Sequence, residues 1–210
     1  ILKTKRLVPS GKIRKKNEAL IITAAEEEFL AYGFKGASMK RIAERADLPR
    51  ANIHYYFNNK LDLYGTILSD IVDFWNSTFD AINPDDDPSV SLAAYIRAKV
   101  MFSKTNATAS RIFASEIIHG APVLKEYLAT EFRSWVDSKV AVINGWISKG
   151  AIEPINPHHL LFLIWSSTQH YADFNVQVLA ALNKNRMLKS DYEDVADSLV
   201  LFVLKICGIK

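Results

Sequence analysis

Apolar residues along this 210-residue chain recur at three- and four-residue spacing, and no stretch alternates with period two over the length of a strand. A helix brings positions i, i+3, i+4 and i+7 to one face, whereas a half-buried strand needs strict alternation. The pattern therefore predicts an all-α fold. Proline removes a backbone donor and clashes with the preceding turn, so it marks where helices stop. Pro9, Pro49, Pro84, Pro88, Pro122, Pro154 and Pro157 divide the chain in this way. The spacing predicts helices over 15–32 (ended by Gly33), 39–46 (with Ser38 as N-cap), 50–56 and 60–82. After the loop Asn83–Pro88 it predicts helices over 89–105, 108–118, 122–149, 157–183 and 190–207. Gly150 is expected to end the third of these as a C′ glycine, and Pro157 to open the fourth in its first turn.

The formal net charge of +3 is too small to announce a nucleic-acid binder, but its distribution is uneven. Residues 1–64 hold 13 basic and 7 acidic side chains, while residues 65–210 hold 13 and 16. Lys3, Lys5, Arg6, Lys12, Arg14, Lys15 and Lys16 precede the first acidic residue. Such an arm fits nucleic-acid contact, and it equally fits a solvated tail that aids solubility. The expected organisation is a basic arm over 1–14, a small basic domain over 15–64 and a larger acidic domain over 65–210.

Several classes are excluded. The longest apolar runs, Leu160–Trp165 and Leu199–Leu204, have six residues each. A membrane-spanning helix needs about 20, and the opening residues show no apolar core of a secretory leader. The single cysteine, Cys207, leaves no internal disulfide and fits a reducing cytoplasm. No GxSxG, HExxH, P-loop, paired-cysteine or HxE…PCxxC pattern occurs. Neither catalysis, nor a metal, nor a cofactor is expected.

Two short helices joined by a tight turn behind a basic arm suggest a helix-turn-helix. Ile42, Ala43 and Ala46 give the first an apolar stripe, small enough at the alanines for close crossing. Asp47 falls at the turn, where a left-handed backbone is usual and Asp is tolerated. Leu48 and Ile53 anchor the second helix, which leaves Arg50, Ala51, Asn52 and His54 pointing outward. In a helix-turn-helix such positions reach base edges in the major groove, where Arg suits guanine and Asn suits adenine. His54 reads equally as a DNA contact or as a solvated side chain. Phe57 reads as core, since Tyr55, Tyr56 and Phe57 cannot all face DNA.

The run Tyr55-Tyr56-Phe57-Asn58-Asn59-Lys60-Leu61-Asp62-Leu63-Tyr64 resembles the YYFxxKxxLY signature of the TetR family. Phe29, Gly33-Phe34, Gly36, Ser38, Ile42-Ala43 and Ala46 match the same pattern upstream, in order and spacing. Asp47 stands where the family usually has Gly. The resemblance implies a homodimer with an N-terminal three-helix DNA-binding domain and a C-terminal helical domain for ligand binding and dimerisation. It implies DNA contacts from Ser38 (to phosphate), Arg50, Ala51, Asn52, His54, Tyr55, Tyr56 and Lys60. Tyr56 and Lys60 would hold the phosphate backbone rather than read bases.

Further on, the segment Trp165–Phe174 is similar to the corresponding helix of that family's uracil-sensing, pyrimidine-utilisation regulators. Smaller matches at Asp73-Phe74-Trp75, Tyr95-Ile96-Arg97, Ala109-Ser110-Arg111 and Gly145-Trp146 extend the likeness over most of the chain. On a helix, Trp165, Thr168, Gln169 and Ala172 share one face. An indole for stacking, a hydroxyl, an amide with one donor and one acceptor, and a small gap suit a flat polar ring such as uracil. The resemblance makes Trp75 a second wall. Hydantoins and dihydropyrimidines present the same C=O/N–H edge, and a different small molecule stands as the alternative effector. His170 and Asp173, three apart, read as a satisfied pair or a dimer contact ahead of a metal pair. Helices 157–183 and 190–207 are apolar on more than one stripe, which predicts a dimer interface. The expected protein is a ligand-responsive repressor whose homodimer binds a pseudo-palindromic double-stranded operator.

Overall fold

The computed structural model describes residues 11–80 and 82–209. Lys3, Lys5 and Arg6 of the expected arm lie outside the described residues, and its last three positions, 12–14, belong to a helix. The elements are α1 (Lys12–Gly36), α2 (Met39–Arg45), α3 (Arg50–Tyr56), α4 (Lys60–Asp80), α5 (Pro88–Thr105) and α6 (Ala107–Ile118). They continue as α7 (Lys125–Ala129), α8 (Glu131–Ser148), α9 (Pro157–Asp173), α10 (Asn175–Ala181) and α11 (Lys189–Ile206). The described residues contain no strand, as the periodicity requires.

The stop and start signals act as expected. Gly33 breaks α1 at φ +64°, so the helical run ends where the pattern ends. Ser38 caps α2, its Oγ accepting from the Arg41 amide at 3.2 Å. Asp87 caps α5 in the same way, with Pro88 following in the first turn. Gly150 closes α8 at φ +67°, with its N–H bonded to the Ile147 carbonyl and that of Ala151 to Trp146. These two bonds satisfy carbonyls that the helix leaves open.

Two long helices expected from the pattern are each divided. The stretch 122–149 becomes α7 and α8, interrupted at Thr130, whose φ −120° and ψ −89° are not helical. The stretch 157–183 becomes α9 and α10, interrupted at Phe174 with φ −113° and ψ 31°. Neither break carries glycine or proline, so the apolar spacing runs through both without a signal.

The chain forms two compact units. One contains the chain up to Asp73 together with Arg111–Tyr127, and the other contains Phe74–Ser110 with Leu128–Lys210. The expected boundary after Tyr64 and this division both fall inside α4, but the first unit also takes back the end of α6. The reason is local chemistry. Glu116 is buried, and its carboxylate accepts from Tyr64 Oη at 3.2 Å and from the Val123 and Leu124 amides at 2.6 and 3.1 Å. Burial, then that neighbouring carboxylate, push the Tyr64 phenol well above its ordinary range. Ile21, Ala25, Phe29, Ile42, Ile53 and Leu63 make the core of this unit. The second unit packs α5 against α9 and α11 around Tyr95, Ile96, Val100, Trp146, Leu161 and Ile164.

Candidate nucleic-acid interface and ligand site

The helix-turn-helix is built by α2, a four-residue turn and α3. At the turn, Asp47 adopts φ +52°. Its N–H bonds to the Glu44 carbonyl and that of Leu48 to Ala43, which closes α2 and aims the chain into α3. Ile42, Ala43, Ala46 and Ile53 are buried, and Leu48 is partly so. Phe57 is 4% exposed, as expected of a core residue, whereas Tyr55 is 71% exposed.

Glu28 of α1 fixes the orientation of this motif. Its carboxylate is fully buried and accepts from Arg41 Nε at 2.6 Å, from the Ser38 amide at 3.2 Å and from Arg45 Nε at 3.1 Å. Burial alone would raise its pKa, but the bonds from Arg41, Ser38 and Arg45 outweigh it and hold the carboxyl below its usual range. Arg41 also stacks on Tyr32, 4.6 Å from the ring centre. By periodicity Glu28 shares a helix face with Leu20, Ile21, Ala24, Ala25 and Phe29, but spacing alone gives that carboxylate no partners, which lie 10 to 17 residues away in sequence.

Arg50, Ala51 and His54 are exposed, and Asn52 is partly so. Ser38 Oγ accepts from the Arg41 amide, which leaves its own hydrogen to donate. Lys60 is more committed than the sequence suggested. Its Nζ donates to the carbonyls of Lys35 and Ala37 at 3.2 and 2.8 Å and lies 4.8 Å from the centre of the Phe34 ring. Two of its three donors thus hold the α1–α2 link, and one remains for another acceptor. Arg14 lies over Tyr55 and Tyr56, at 5.7 and 6.0 Å from their ring centres, and so joins the start of α1 to the end of α3.

In the second unit, the expected ligand residues divide. Trp165 is half-buried among Phe132, Trp135 and Phe162, with ring centres 5.6–6.2 Å away. Its Nε1 donates to Tyr95 Oη at 2.9 Å, so the indole offers a face and not its donor. Thr168 is fully buried, and its hydroxyl hydrogen turns back to the Ile164 carbonyl at 2.7 Å. Only its acceptor lone pairs remain for a ligand. Gln169 is partly buried and makes no side-chain hydrogen bond among the described residues. Trp75 packs edge-on against Phe102, ring centres 5.6 Å apart.

Between the two tryptophans lies a stripe of α5 that the sequence reading passed over. Tyr95, Lys99 and Ser103 recur every four residues and are all buried. Lys99 is 3% exposed, with Nζ 4.3 Å from the centre of the Trp75 ring and 6.0 Å from that of Tyr95. Ser103 Oγ donates to the Thr168 carbonyl at 2.8 Å. Burial pushes the Lys99 ammonium down to about 7, against a smaller upward pull from Asp173. Asp173 Oδ1 accepts from Ser110 Oγ at 2.6 Å, and the His170 ring stacks on Phe174 at 5.1 Å. His170 and Asp173 are thus turned to different partners, and no cluster among the described residues has the makings of a metal site.

Residues 21–67 match the family described as "Bacterial regulatory proteins, tetR family", and residues 68–210 match "YcdC-like protein, C-terminal region". The chain belongs to the TetR family. As a TetR-family protein it is a ligand-responsive transcription regulator with an N-terminal helix-turn-helix and a helical C-terminal domain. It is 42% identical over 160 residues to the HTH-type transcriptional regulator RutR of Escherichia coli O157:H7, covering 76% of each chain. Among solved structures it is similar to a tetR-family regulatory protein from Rhodococcus RHA1, with a TM-score of 0.73 and 20% identity over 93% of this chain and 98% of that one. AibR, solved with isovaleryl coenzyme A and operator DNA, matches with a TM-score of 0.63 and 18% identity over 88% and 96% of the two chains. At these identities the two structures share the fold with this TetR-family regulator. Among the described residues, no helix is long and apolar enough to cross a membrane.

Proposed function

We propose that this regulator is a homodimeric repressor that leaves its operator when uracil, or a cyclic amide with the same hydrogen-bonding edge, enters the second unit. The observation that carries the reading is the polar, aromatic-walled seam between α5 and α9. There Trp75 lies against Lys99 and Trp165 is bonded to Tyr95, and Gln169, one turn beyond Trp165 on the same face of α9, makes no side-chain hydrogen bond among the described residues. A flat ring stacks on an indole, and a primary amide pairs with a C=O/N–H edge. Rings with the wrong edge leave buried polar groups unpaired and are rejected strongly. The similarity to RutR supports the same reading.

The DNA-contacting residues in this reading are Ser38, Arg50, Ala51, Asn52, His54, Tyr55, Tyr56 and Lys60. Dimerisation is assigned to α9 and α11, which expose Phe162, Leu163, Leu201, Phe202 and Ile206. Large apolar side chains exposed on two helices that pack together support an interaction site there. A two-fold dimer then meets a pseudo-palindrome with its half-sites about one helical turn apart. The switch uses α4, which supplies Tyr64 to one compact unit and Trp75 to the other. A near-complete swing requires the ligand to favour one state by about 5.5 kcal/mol.

Calorimetric titration of the full chain with uracil, thymine and uridine, beside a Gln169→Leu variant, tests the effector. Uracil is expected to bind the wild type and to lose at least tenfold in affinity with the variant. If neither free base binds, the pyrimidine reading is wrong. Binding of hydantoin or dihydrouracil in their place would keep the pocket and change the effector.

A further inference from the structure

Lys99 is the most unusual side chain in the second unit. It is 3% exposed, and aromatic faces meet its ammonium where a carboxylate would be expected. Among the described residues it forms no hydrogen bond and no ion pair. Water solvates an ammonium far better than an indole face does, and the cation–π attraction recovers only part of that loss. A methionine or leucine would fill the same volume without the loss, so the fold has no use for the charge. Buried lysines of lowered pKa concentrate at functional sites, where a ligand supplies the missing acceptor.

The location narrows that acceptor. Lys99 lies on the stripe between Tyr95, which holds Trp165, and Ser103, which holds the Thr168 carbonyl. It therefore faces the helix that carries Gln169, and its Nζ stands over Trp75. We propose that Lys99 is a ligand-binding residue: its ammonium donates to an exocyclic oxygen of a planar ring held in the Trp75–Trp165 seam. This rests on the reading of that seam as the effector site and adds a requirement to it. The effector must carry a carbonyl or carboxylate oxygen on the edge that meets α5, because an apolar or amino-substituted edge would leave the ammonium buried and unpaired. Gln169 then reads one edge of the ring and Lys99 an oxygen on another.

The charged and titratable groups that face Lys99 are few. Tyr95 lies on its own helix, α4 contributes the Trp75 ring, and the field of Asp173 reaches it from α9, with that carboxylate held by Ser110 of α6. Since burial lowers Lys99 to about 7, only about half of the molecules carry its proton at pH 7, and an oxygen that favours the ammonium form draws in a fraction of a proton when it binds. A structural lysine gives no such signature.

The test is calorimetry on the full chain with uracil at pH 7 in two buffers of different ionisation heat, with wild type and Lys99→Met, alongside thermal unfolding without ligand. The expected result has three parts. The wild type takes up a fraction of a proton per uracil bound, Lys99→Met binds uracil at least tenfold more weakly with no uptake, and Lys99→Met melts at a higher temperature than the wild type. Two results would overturn the inference. One is uracil affinity within twofold of wild type in Lys99→Met. The other is weaker binding joined to a lower melting temperature and no wild-type proton uptake, the mark of a packing role. If the wild type binds none of uracil, hydantoin and dihydrouracil, the effector reading fails first and this inference with it.

Discussion

Arg41 Nε donates to Glu28 Oε1 across 2.6 Å, and Arg45 Nε reaches the second oxygen of the same carboxylate at 3.1 Å. One buried carboxylate of α1 thus sets the position of α2, and through the turn at Asp47 the position of α3. The residues proposed to read bases act only when their helix is held at a fixed angle, and Glu28 holds it from a fully buried position.

Replacing Glu28 by Leu is expected to destabilise the helix-turn-helix by about 3 kcal/mol, the usual cost of breaking one side of a buried charged cluster. Arg41 and Arg45 are partly exposed and can recover some hydration, which sets the upper limit. The Glu28 carboxyl lies below its unfolded pKa, so its contribution is complete above the ordinary carboxylate range and is lost as pH falls through the folded value. Urea unfolding followed between pH 3 and pH 6 (a range of about three units around carboxylate titration) should show a shallower acid loss in the variant. Equal slopes in both proteins would refute this account.

Asp47 occupies the left-handed region at φ +52°, where a side chain beyond Cβ is disfavoured. Asp47→Gly should stabilise the protein by about 0.5 kcal/mol, the strain relief being partly offset by the freer unfolded chain. Asp47→Val should cost about 2 kcal/mol, because a β-branched residue adopts this conformation least readily. Thermal unfolding of the two variants must move in opposite directions.

Lys60 and Arg50 should fail in different ways. Lys60→Ala removes the proposed phosphate contact and two bonds to the Lys35 and Ala37 carbonyls. It is expected to weaken binding to all DNA sequences alike, lower the salt slope by about 1, and cost about 1 kcal/mol of stability. Arg50→Ala should leave stability unchanged and relax preference at one base position by about 1–3 kcal/mol. Selection from random DNA followed by titration at several salt concentrations separates the two. A shallow wild-type salt slope, with no loss on Lys60→Ala, would count against the proposed contacts.

Lys99 gives a pH dependence of its own. Its folded pKa, about 7, lies below the ordinary lysine value, so the unfolded chain binds more protons between pH 7 and about 10.4. Stability without ligand should therefore rise with pH across that window, and the full penalty of the buried charge applies below pH 7. Lys99→Met should lack this rise. Melting temperatures of both proteins between pH 7 and pH 9, an interval of about two units inside the window, provide the comparison, and parallel curves would show that Lys99 keeps its ordinary pKa.

Much of this was legible in the residues themselves. Ser38, Gly33, Gly150 and Pro157 announced their helix ends because caps and breakers act through local backbone geometry. The YYFxxKxxLY run and the stripe Ile42-Ala43-Ala46 identified the helix-turn-helix, because close packing of two short helices restricts residue type at fixed spacing. The breaks at Thr130 and Phe174 were not legible, since no residue there forces a non-helical backbone. The candidate ligand site was legible on α9 alone. Trp165, Thr168 and Gln169 share a face by periodicity, but periodicity does not say that the Thr168 hydroxyl turns inward or that Trp165 is already bonded to Tyr95.

Helix type, caps and the DNA-reading motif follow from interactions within about four residues along the chain, and the sequence determines those directly. The pairing of Glu28 with Arg41 spans 13 residues, that of Tyr64 with Glu116 spans 52, and that of Tyr95 with Trp165 spans 70. Only the tertiary structure decided these, because hydrogen bonds and burial depend on which distant helices meet. The same holds for Lys99, an ordinary charged residue in the sequence and a buried cation against the rings of Trp75 and Tyr95 once the helices are packed together.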